Sequence, residues 1–416
     1  MTPGAATVVG RGPAGLMAAT LLTAAGWSVH VVSSASGTLP LWSGRLDFRS
    51  WDQAVAVDNP WRWWEHHGED HFPGGAELAR WKRLWSIWAA LVRQLGAEAG
   101  VPECNRWTVT PMGRRRPVFW TPPWELALDQ VPPAVAVVGL EGFLDFEPEL
   151  AADGLRGADA LRTMKLGAPP DWHPGWSGVR WAAFLDTGPG GDWLERQLGR
   201  ALDGGPGDEL VVLPQVLGLR HTELLRQRLE RRLGRTVREV GLVPPGLGGM
   251  RLEARWLAWL LSSGVQLHRG TVEAIRPAGG VTVADGRPVG EGPVILATGG
   301  VLGGGVRLSA EGTALDAILG CPLGHLVEGD DPATALRWGL TASDGAVAGR
   351  QLAGCDPDVH GDGGAVCLWT AAAAAERLAP GLVARIARIG QAEIGGSDPT
   401  LVQAGGGAAE AEVPDV

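Results

Sequence analysis

Tyrosine is absent from the 416-residue chain, although 20 tryptophans are present. No phenol can act as acid, base or donor, so proton transfer falls to His, Asp, Glu, Arg, Lys or water. Cysteine is scarce: Cys104, Cys321, Cys355 and Cys367 are scattered, with no CxxC pair and no ferredoxin-like run. That spacing excludes an iron–sulfur cluster held by this chain alone and reads as four small buried hydrophobes. Long apolar runs are missing too. None approaches the roughly eighteen residues of a membrane span, and no basic region precedes the N-terminal apolar run. The expected location is cytoplasmic, with peripheral attachment to the cytoplasmic face of the inner membrane only through partners. Positive charge is in the minority, 36 Lys and Arg against 46 Asp and Glu, net -10. Nucleic acid, bound through clustered Lys and Arg, is not an expected partner.

What is present begins with "VVGRGPAGLMAATLLTAAGWSVHVVSSASG", residues 8 to 37. An apolar run, Ala5 to Val9, breaks at Gly10, Gly12 and Gly15, continues as a helix-compatible stretch to Ala25, and returns as Val29 to Val32. This is the strand–turn–helix–strand unit of a dinucleotide site. Gly10 permits the turn, Gly12 lets backbone approach a pyrophosphate, and Gly15 lets helix and strand pack closely, while Pro13 and Ala14 open the helix facing the anion. One departure stands out. Such folds end the second strand in Asp or Glu to hold the adenosine ribose, whereas this one ends in Ser33 and Ser34. FMN is therefore the alternative cofactor, and the two-phosphate logic of the three glycines keeps FAD ahead.

Two further signals turn the dinucleotide reading into a flavin reading. "PVILATGG", residues 293 to 300, runs apolar residues into Ala297, Thr298 and Gly299, small enough for backbone to pass close to a ligand. Then "AVAGRQLAGCDPDVHGDGGAVCLWTAAAAAERLA", residues 346 to 379, predicts a strand ending at Gly349, a Gly-rich loop carrying Asp356 and running through Gly363 and Gly364, and a helix beginning near Ala365. That helix start would direct N–H groups at the electron-rich N1/C2 edge of a flavin. Ser43 and Gly44 in "LWSGRLDF" are the expected contact with the isoalloxazine. Arg114, Arg115 and Arg116 form the densest basic cluster, read either as a solvated turn or as a site for substrate phosphate. No catalytic residue is assigned.

The fold class expected is α/β, a two-domain flavoprotein with a Rossmann-like FAD/NAD(P)-binding domain and an inserted second α/β domain. The flavin-binding domain takes 1–105 with a Trp-rich helical insertion, 240–305 and 335–405; the second domain takes 106–239 and returns at 306–334; 406–416 is a flexible tail. Within the insertion, Leu78, Trp81, Leu84, Trp85, Trp88 and Leu91 form the apolar face of a helix expected over 76–100. Segment 61–88 has more aromatic surface than one helix face needs, so its tryptophans either fill the chain's own core or dock a second subunit. His66, His67 and His71 with Glu65 suggest a metal, but adjacent residues on a helix point their rings apart, and no metal is expected.

In this order, "VVGRGPAGLMAA", "LWSGRLDF", "TPMGRRRP", "VAVVGLEGFLDFEPELAADGLR", "LPQVLGL", "LVPPGLGGMRL", "VILATGGVLGGGV" and "LAGCDPDVHGDGGAVC" resemble the B-subunit family of anaerobic glycerol-3-phosphate dehydrogenase. The resemblance spans nearly the whole chain apart from the Trp-rich insertion and the tail. It implies a flavin-dependent subunit, usually credited with FMN, acting in oxidation of glycerol 3-phosphate to dihydroxyacetone phosphate with a quinone-linked acceptor. It also implies an FAD-containing catalytic subunit and a membrane-anchoring iron–sulfur subunit as partners. The alternatives are a non-catalytic flavin-binding assembly subunit and a stand-alone flavin dehydrogenase or oxidase for another hydroxy or amino acid. Departures from the family lie in the short "RWGLTASDGAVAGR" segment and at His360 and Asp362.

Overall fold

The computed structural model describes residues 4–71, 78–97, 100–170, 172–173, 175–300, 303–310, 314–318, 346–348 and 363–394. The opening unit forms as its pattern requires: strand Ala5–Val9, helix Pro13–Ala24 and strand Ser28–Ser33. These strands belong to a five-stranded sheet ordered Gln266–Arg269, Ser28–Ser33, Ala5–Val9, Val294–Leu296, Ala346–Val347. Every pairing in it is parallel. Parallel strands need crossovers that cover both faces of the sheet, so their sequences read as continuous apolar runs.

A second parallel sheet has the order Val237–Val240, Leu210–Pro214, Ala134–Leu140, Ala160–Leu166. All seven residues of "AVAVVGL" in Ala134–Leu140 are buried. A small antiparallel meander, Val272–Ile275, Val281–Val283 and Pro288–Val289, completes the framework. The architecture is thus the mixed α/β type expected, with two parallel sheets. Strand Val237–Val240 belongs to the second sheet, while helix Leu247–Ser262 leads to strand Gln266–Arg269 of the first. The Gly241 to Gly246 stretch is therefore the crossing between the sheets.

The tryptophans of the insertion enter the chain's own core. Helices Pro60–His71 and Leu78–Gln94 bury Trp63, Trp64, Trp81, Trp85 and Trp88. Phe48 sits among Trp61, Trp64, Trp81, Trp85 and Phe119, with ring centroids 4.8 to 5.9 Å apart. Of the two readings of segment 61–88, core filling holds for these buried tryptophans, and docking of a subunit through them is corrected. The second helix stops at Gln94 rather than running to 100, because Gly96 turns left-handed at φ +77° and the Ala97 N–H closes on the Val92 carbonyl. On the first helix, His66 and His67 direct Nδ1 to the carbonyls of Arg62 and Trp63 at 2.7 and 3.0 Å.

A buried hydrogen bond ties helix Pro13–Ala24 to helix Leu247–Ser262: Trp256 Nε1 donates to Thr20 Oγ1 at 2.8 Å. Thr20→Val keeps the shape but orphans the indole N–H. A loss of about 1–3 kcal/mol is expected, read from urea unfolding; an unchanged midpoint would remove this bond from the account of stability.

Candidate functional site

The three glycines of the opening turn have different roles. A Cβ on Gly10, whose φ is +105°, would fall on the Ala297 carbonyl, and one on Gly15 would fall on the Gly10 carbonyl. Gly10 N–H donates to the Val32 carbonyl and Ala297 N–H to the Val9 carbonyl, both at 2.8 Å. These residues seal strand against helix. Gly12 is different, with extended backbone and only Thr38 Oγ1, 3.9 Å away, near the position of its missing Cβ. Helix Pro13–Ala24 starts at this point without a side-chain cap or an acidic first-turn residue. Its uncapped N–H groups and dipole suit an anion. Gly37, at φ +66°, closes over the turn so tightly that its Cβ would come 3.0 Å from Gly12 N. The result is a cradle of bare backbone, and its donor set fits the diphosphate of FAD.

Around that cradle, Ser33 donates its hydroxyl to the Ala35 carbonyl at 2.6 Å, within its own turn. Ser34 beside it is exposed. Arg11 lies inside the glycine turn: its Nη2 donates to Ser36 Oγ at 2.7 Å, and its Nε is 3.2 Å from Glu253 Oε1. Thr298 and Gly299 follow directly on Ala297, with Gly299 at φ +81°. The glycine motif does not single out Arg11, because the motif is defined by its glycines; the signal is a charged residue between two of them.

Ser43 and Gly44 form a second cluster with helix Leu247–Ser262. Gly44, at φ +92°, would place a Cβ 2.9 Å from the Gly248 carbonyl carbon. Side chains at Gly246, Gly248 and Gly249 would fall on the carbonyls of Trp42, Ser43 and Leu39. One backbone-to-backbone contact therefore explains the glycines of both "LWSGRLDF" and "LVPPGLGGMRL". Buried Gln215 locks it, donating to the Ser43 carbonyl at 3.2 Å and accepting from Gly248 N–H at 2.9 Å. Helix Gly363–Leu378 opens against the same loop: Ala365 N–H donates to the Asp47 carbonyl at 3.0 Å, and a Cβ on Gly364 would meet Leu46. The structure thus brings Gly363, Gly364 and Ala365 to the residues just after Ser43 and Gly44. Gly349 and Asp356 lie outside the described residues, as do Cys321, Cys355, His360, Asp362 and the tail.

Several charged groups under this loop are not evident from the sequence. Arg45 Nε meets Glu125 Oε1 at 2.6 Å, with both side chains buried. Deeper in, Glu239 pairs with Arg251. Burial pushes the Glu125 carboxyl up to about 7 against the pull of Arg45, with the nearby Glu239 adding to the rise. Burial likewise pushes Glu253 up to about 7, opposed by Arg11. Asp47 is raised by burial despite Arg116 and Arg45. From the arginine cluster, Arg116 reaches this region, 2.7 Å from Asp47. Arg115 donates to the carbonyls of Gly154 and Arg156, a structural role.

A pH dependence follows from the raised carboxyls. Between about pH 4.5 and 7 the unfolded chain has released protons that folded Glu125 and Glu253 retain, so the native state binds more protons and stability falls as pH rises. Urea midpoints measured from pH 4.5 to 8 should decline across this window. Glu125→Gln should flatten part of the decline; a profile with the wild-type slope would remove Glu125 from it.

No helix among the described residues is long and apolar enough to cross a membrane. Residues 6–285 match the family model described as FAD binding domain. The resemblance read from the sequence is borne out by curated relatives. The B subunit of anaerobic glycerol-3-phosphate dehydrogenase from Yersinia pestis bv. Antiqua (strain Antiqua) is 26% identical over 420 residues, covering 89% of this chain and 97% of that one. The probable B subunit of the same enzyme from Halobacterium salinarum (strain ATCC 29341 / DSM 671 / R1) is 32% identical over 207 residues, covering 45% and 48%. Among solved structures, iminodiacetate oxidase from Chelativorans sp. BNC1 is similar at a TM-score of 0.25 and 14% identity, covering 73% of this chain and 58% of that one, a distance at which no activity transfers. With its glycine turn inside a match that spans more than half its length, this chain belongs to the FAD binding domain family.

Proposed function

We propose that the chain is a flavin-dependent oxidoreductase subunit acting in the oxidation of glycerol 3-phosphate to dihydroxyacetone phosphate, with electrons leaving toward a quinone-linked acceptor. The observation that carries this reading is the bare cradle at Gly12, which lies within the FAD-binding match of a chain similar over 89% of its length to a dehydrogenase subunit. Bound FAD supplies the two-electron acceptor, and the protein supplies position and electrostatics. Gly12 and the helix start at Pro13 and Ala14 hold the diphosphate end, in a turn that Gly10 and Gly15 allow to close, and Ser33 and Ser34 lie at the adenosine end. Ser43, Gly44, Ala297, Thr298, Gly299 and the helix start at Gly363 to Ala365 surround the ring; Gly349 and Asp356, outside the described residues, are proposed with them from the sequence alone. The working domain limits are those read from the sequence.

The partners proposed are an FAD-containing catalytic subunit and an iron–sulfur subunit that anchors the assembly at the cytoplasmic face of the membrane. The relatives' designation as subunits supports this, as does the scattered placement of the four cysteines. One preparation tests the whole reading. The purified chain should show a flavin band, release FAD on denaturation, and bleach with glycerol 3-phosphate when its partners are added. Colourless protein that still assembles with partners points to the non-catalytic subunit. A strictly monomeric protein that reduces an artificial dye at full rate with glycerol 3-phosphate overturns the multi-subunit reading.

A further inference from the structure

Arg11 sits at a point where the fold offers backbone and little else. It separates Gly10 from Gly12, so its side chain starts at the mouth of the diphosphate cradle. Among the described residues it makes two polar contacts, the hydrogen bond to Ser36 Oγ at 2.7 Å and the approach of Nε to Glu253 Oε1 at 3.2 Å. A guanidinium carries five N–H donors in a fixed fork, and these contacts leave most of them unassigned. Arg11 keeps 30% of its side-chain surface exposed, whereas Glu253 keeps 9%. The pair is misaligned as well as close: Arg11 Nε and Glu253 Oε1 are both buried without a well-formed hydrogen bond. Glu253 thus holds the guanidinium by charge without saturating it.

A second observation concerns the neighbouring strand. Ser28–Ser33 ends without a carboxylate, and the Ser33 hydroxyl is turned onto Ala35. An acid at that strand end would compete for the arginine as well as hold the ribose. Its absence leaves the guanidinium accessible to an anionic ligand. We infer that Arg11 is a cofactor-binding residue that contacts the FAD diphosphate, with Glu253 and Ser36 as the groups that position its guanidinium. The inference rests on the FAD-binding reading. It explains how a chain without the strand-end carboxylate retains a dinucleotide, by moving recognition from the ribose hydroxyls to the phosphates. Planar, bidentate N–H donors match phosphate oxygens in a way that an ammonium does not.

Proton linkage gives the idea a distinct signature. Arg11 is the charged group that faces Glu253 among the described residues. A diphosphate drawing on the Arg11 charge weakens the guanidinium's hold on Glu253 and adds negative charge nearby. Both effects favour the protonated carboxyl, so the complex takes up a proton and FAD should bind more tightly as pH falls from 8 to 6.

The test is equilibrium titration of the flavin-stripped full chain with FAD, followed by quenching of flavin fluorescence, with circular dichroism to confirm folding. Arg11→Met should weaken binding by roughly 10- to 100-fold and reduce its salt dependence, and Arg11→Lys should recover only part of the loss. Glu253→Gln should bind FAD with an affinity that no longer varies between pH 6 and 8. A folded Arg11→Met variant that binds within threefold of wild type, with the same salt dependence, overturns the inference. If Arg11→Met does not fold, Glu253→Gln decides: a pH profile superposable on wild type overturns the inference and a flat one supports it. Wild-type chain that takes up no FAD overturns the cofactor reading itself, an outcome distinct from wild type and Arg11→Met binding equally well.

Discussion

Gly12→Val should give a folded protein without flavin. The position differs from its neighbours because the fold does not need its glycine: the backbone is extended, and a Cβ would meet nothing closer than Thr38 Oγ1 at 3.9 Å. A branched side chain there projects into the space where backbone must approach phosphate, so FAD affinity should fall by roughly 100-fold or more, the scale of losing a pair of charge-assisted hydrogen bonds. The helix start loses a residue well suited to it, at a cost of about 1 kcal/mol or less. Gly10→Val should behave in the opposite way. Its φ of +105° and the Ala297 carbonyl forbid any side chain, so the sheet itself is disrupted and flavin loss is secondary. Flavin released per chain, measured beside the urea midpoint of each apo-protein, separates the two. Gly12→Val protein with full flavin occupancy would place the phosphate site elsewhere.

That contrast marks how far the sequence can be read. The opening unit is legible because a buried parallel strand is a continuous apolar run and a glycine turn has fixed spacing. The apolar face of helix Leu78–Gln94 is legible for the same reason, periodicity. Which glycine the packing requires is not, since Gly10 and Gly12 look alike in sequence and differ in backbone conformation and in what lies opposite them: φ +105° against the Ala297 carbonyl in one case, extended backbone with Thr38 Oγ1 3.9 Å away in the other. The glycines of "LVPPGLGGMRL" resemble a loop signal, and their reason is a contact with Leu39 to Gly44, far earlier in the chain. Isolated charged residues are the least legible. Arg11, Arg45, Glu125, Glu239, Arg251 and Glu253 carry no period, and only the fold pairs Arg11 with Glu253, Arg45 with Glu125 and Arg251 with Glu239. The tryptophans of 61 to 88 suit an interface as well as a core until Phe48, from the loop after Ser43, is placed at their centre.

Arg251→Met should be the most destabilising single change at the junction, by about 3–5 kcal/mol. Arg251, on helix Leu247–Ser262, and Glu239, on strand Val237–Val240, have fully buried side chains. They meet through two contacts, Nη1 to Oε2 at 2.5 Å and Nη2 to Oε1 at 3.2 Å. Arg251 Nε also donates to the Gly218 carbonyl at 2.7 Å, and Glu239 Oε1 accepts from Leu217 N–H at 2.6 Å. Replacing the arginine leaves a buried carboxylate with one backbone donor and with Glu125 as a like-charged neighbour. The uncompensated charge must then draw water into the junction, and comparison of urea midpoints would show the loss. Arg251→Met combined with Glu239→Met removes both charges and should recover part of the stability, though not all, because Leu217 N–H loses its acceptor and the Gly218 carbonyl keeps only the Thr222 hydroxyl as donor. The consequence extends to the cofactor, since the same helix carries Gly248 against Ser43 and Glu253 against Arg11. A folded Arg251→Met chain should therefore bind FAD more weakly than wild type even though Arg251 is absent from the cradle. A variant within about 1 kcal/mol of wild type at pH 8 would mean that the pair contributes little and that packing alone holds the two sheets in register.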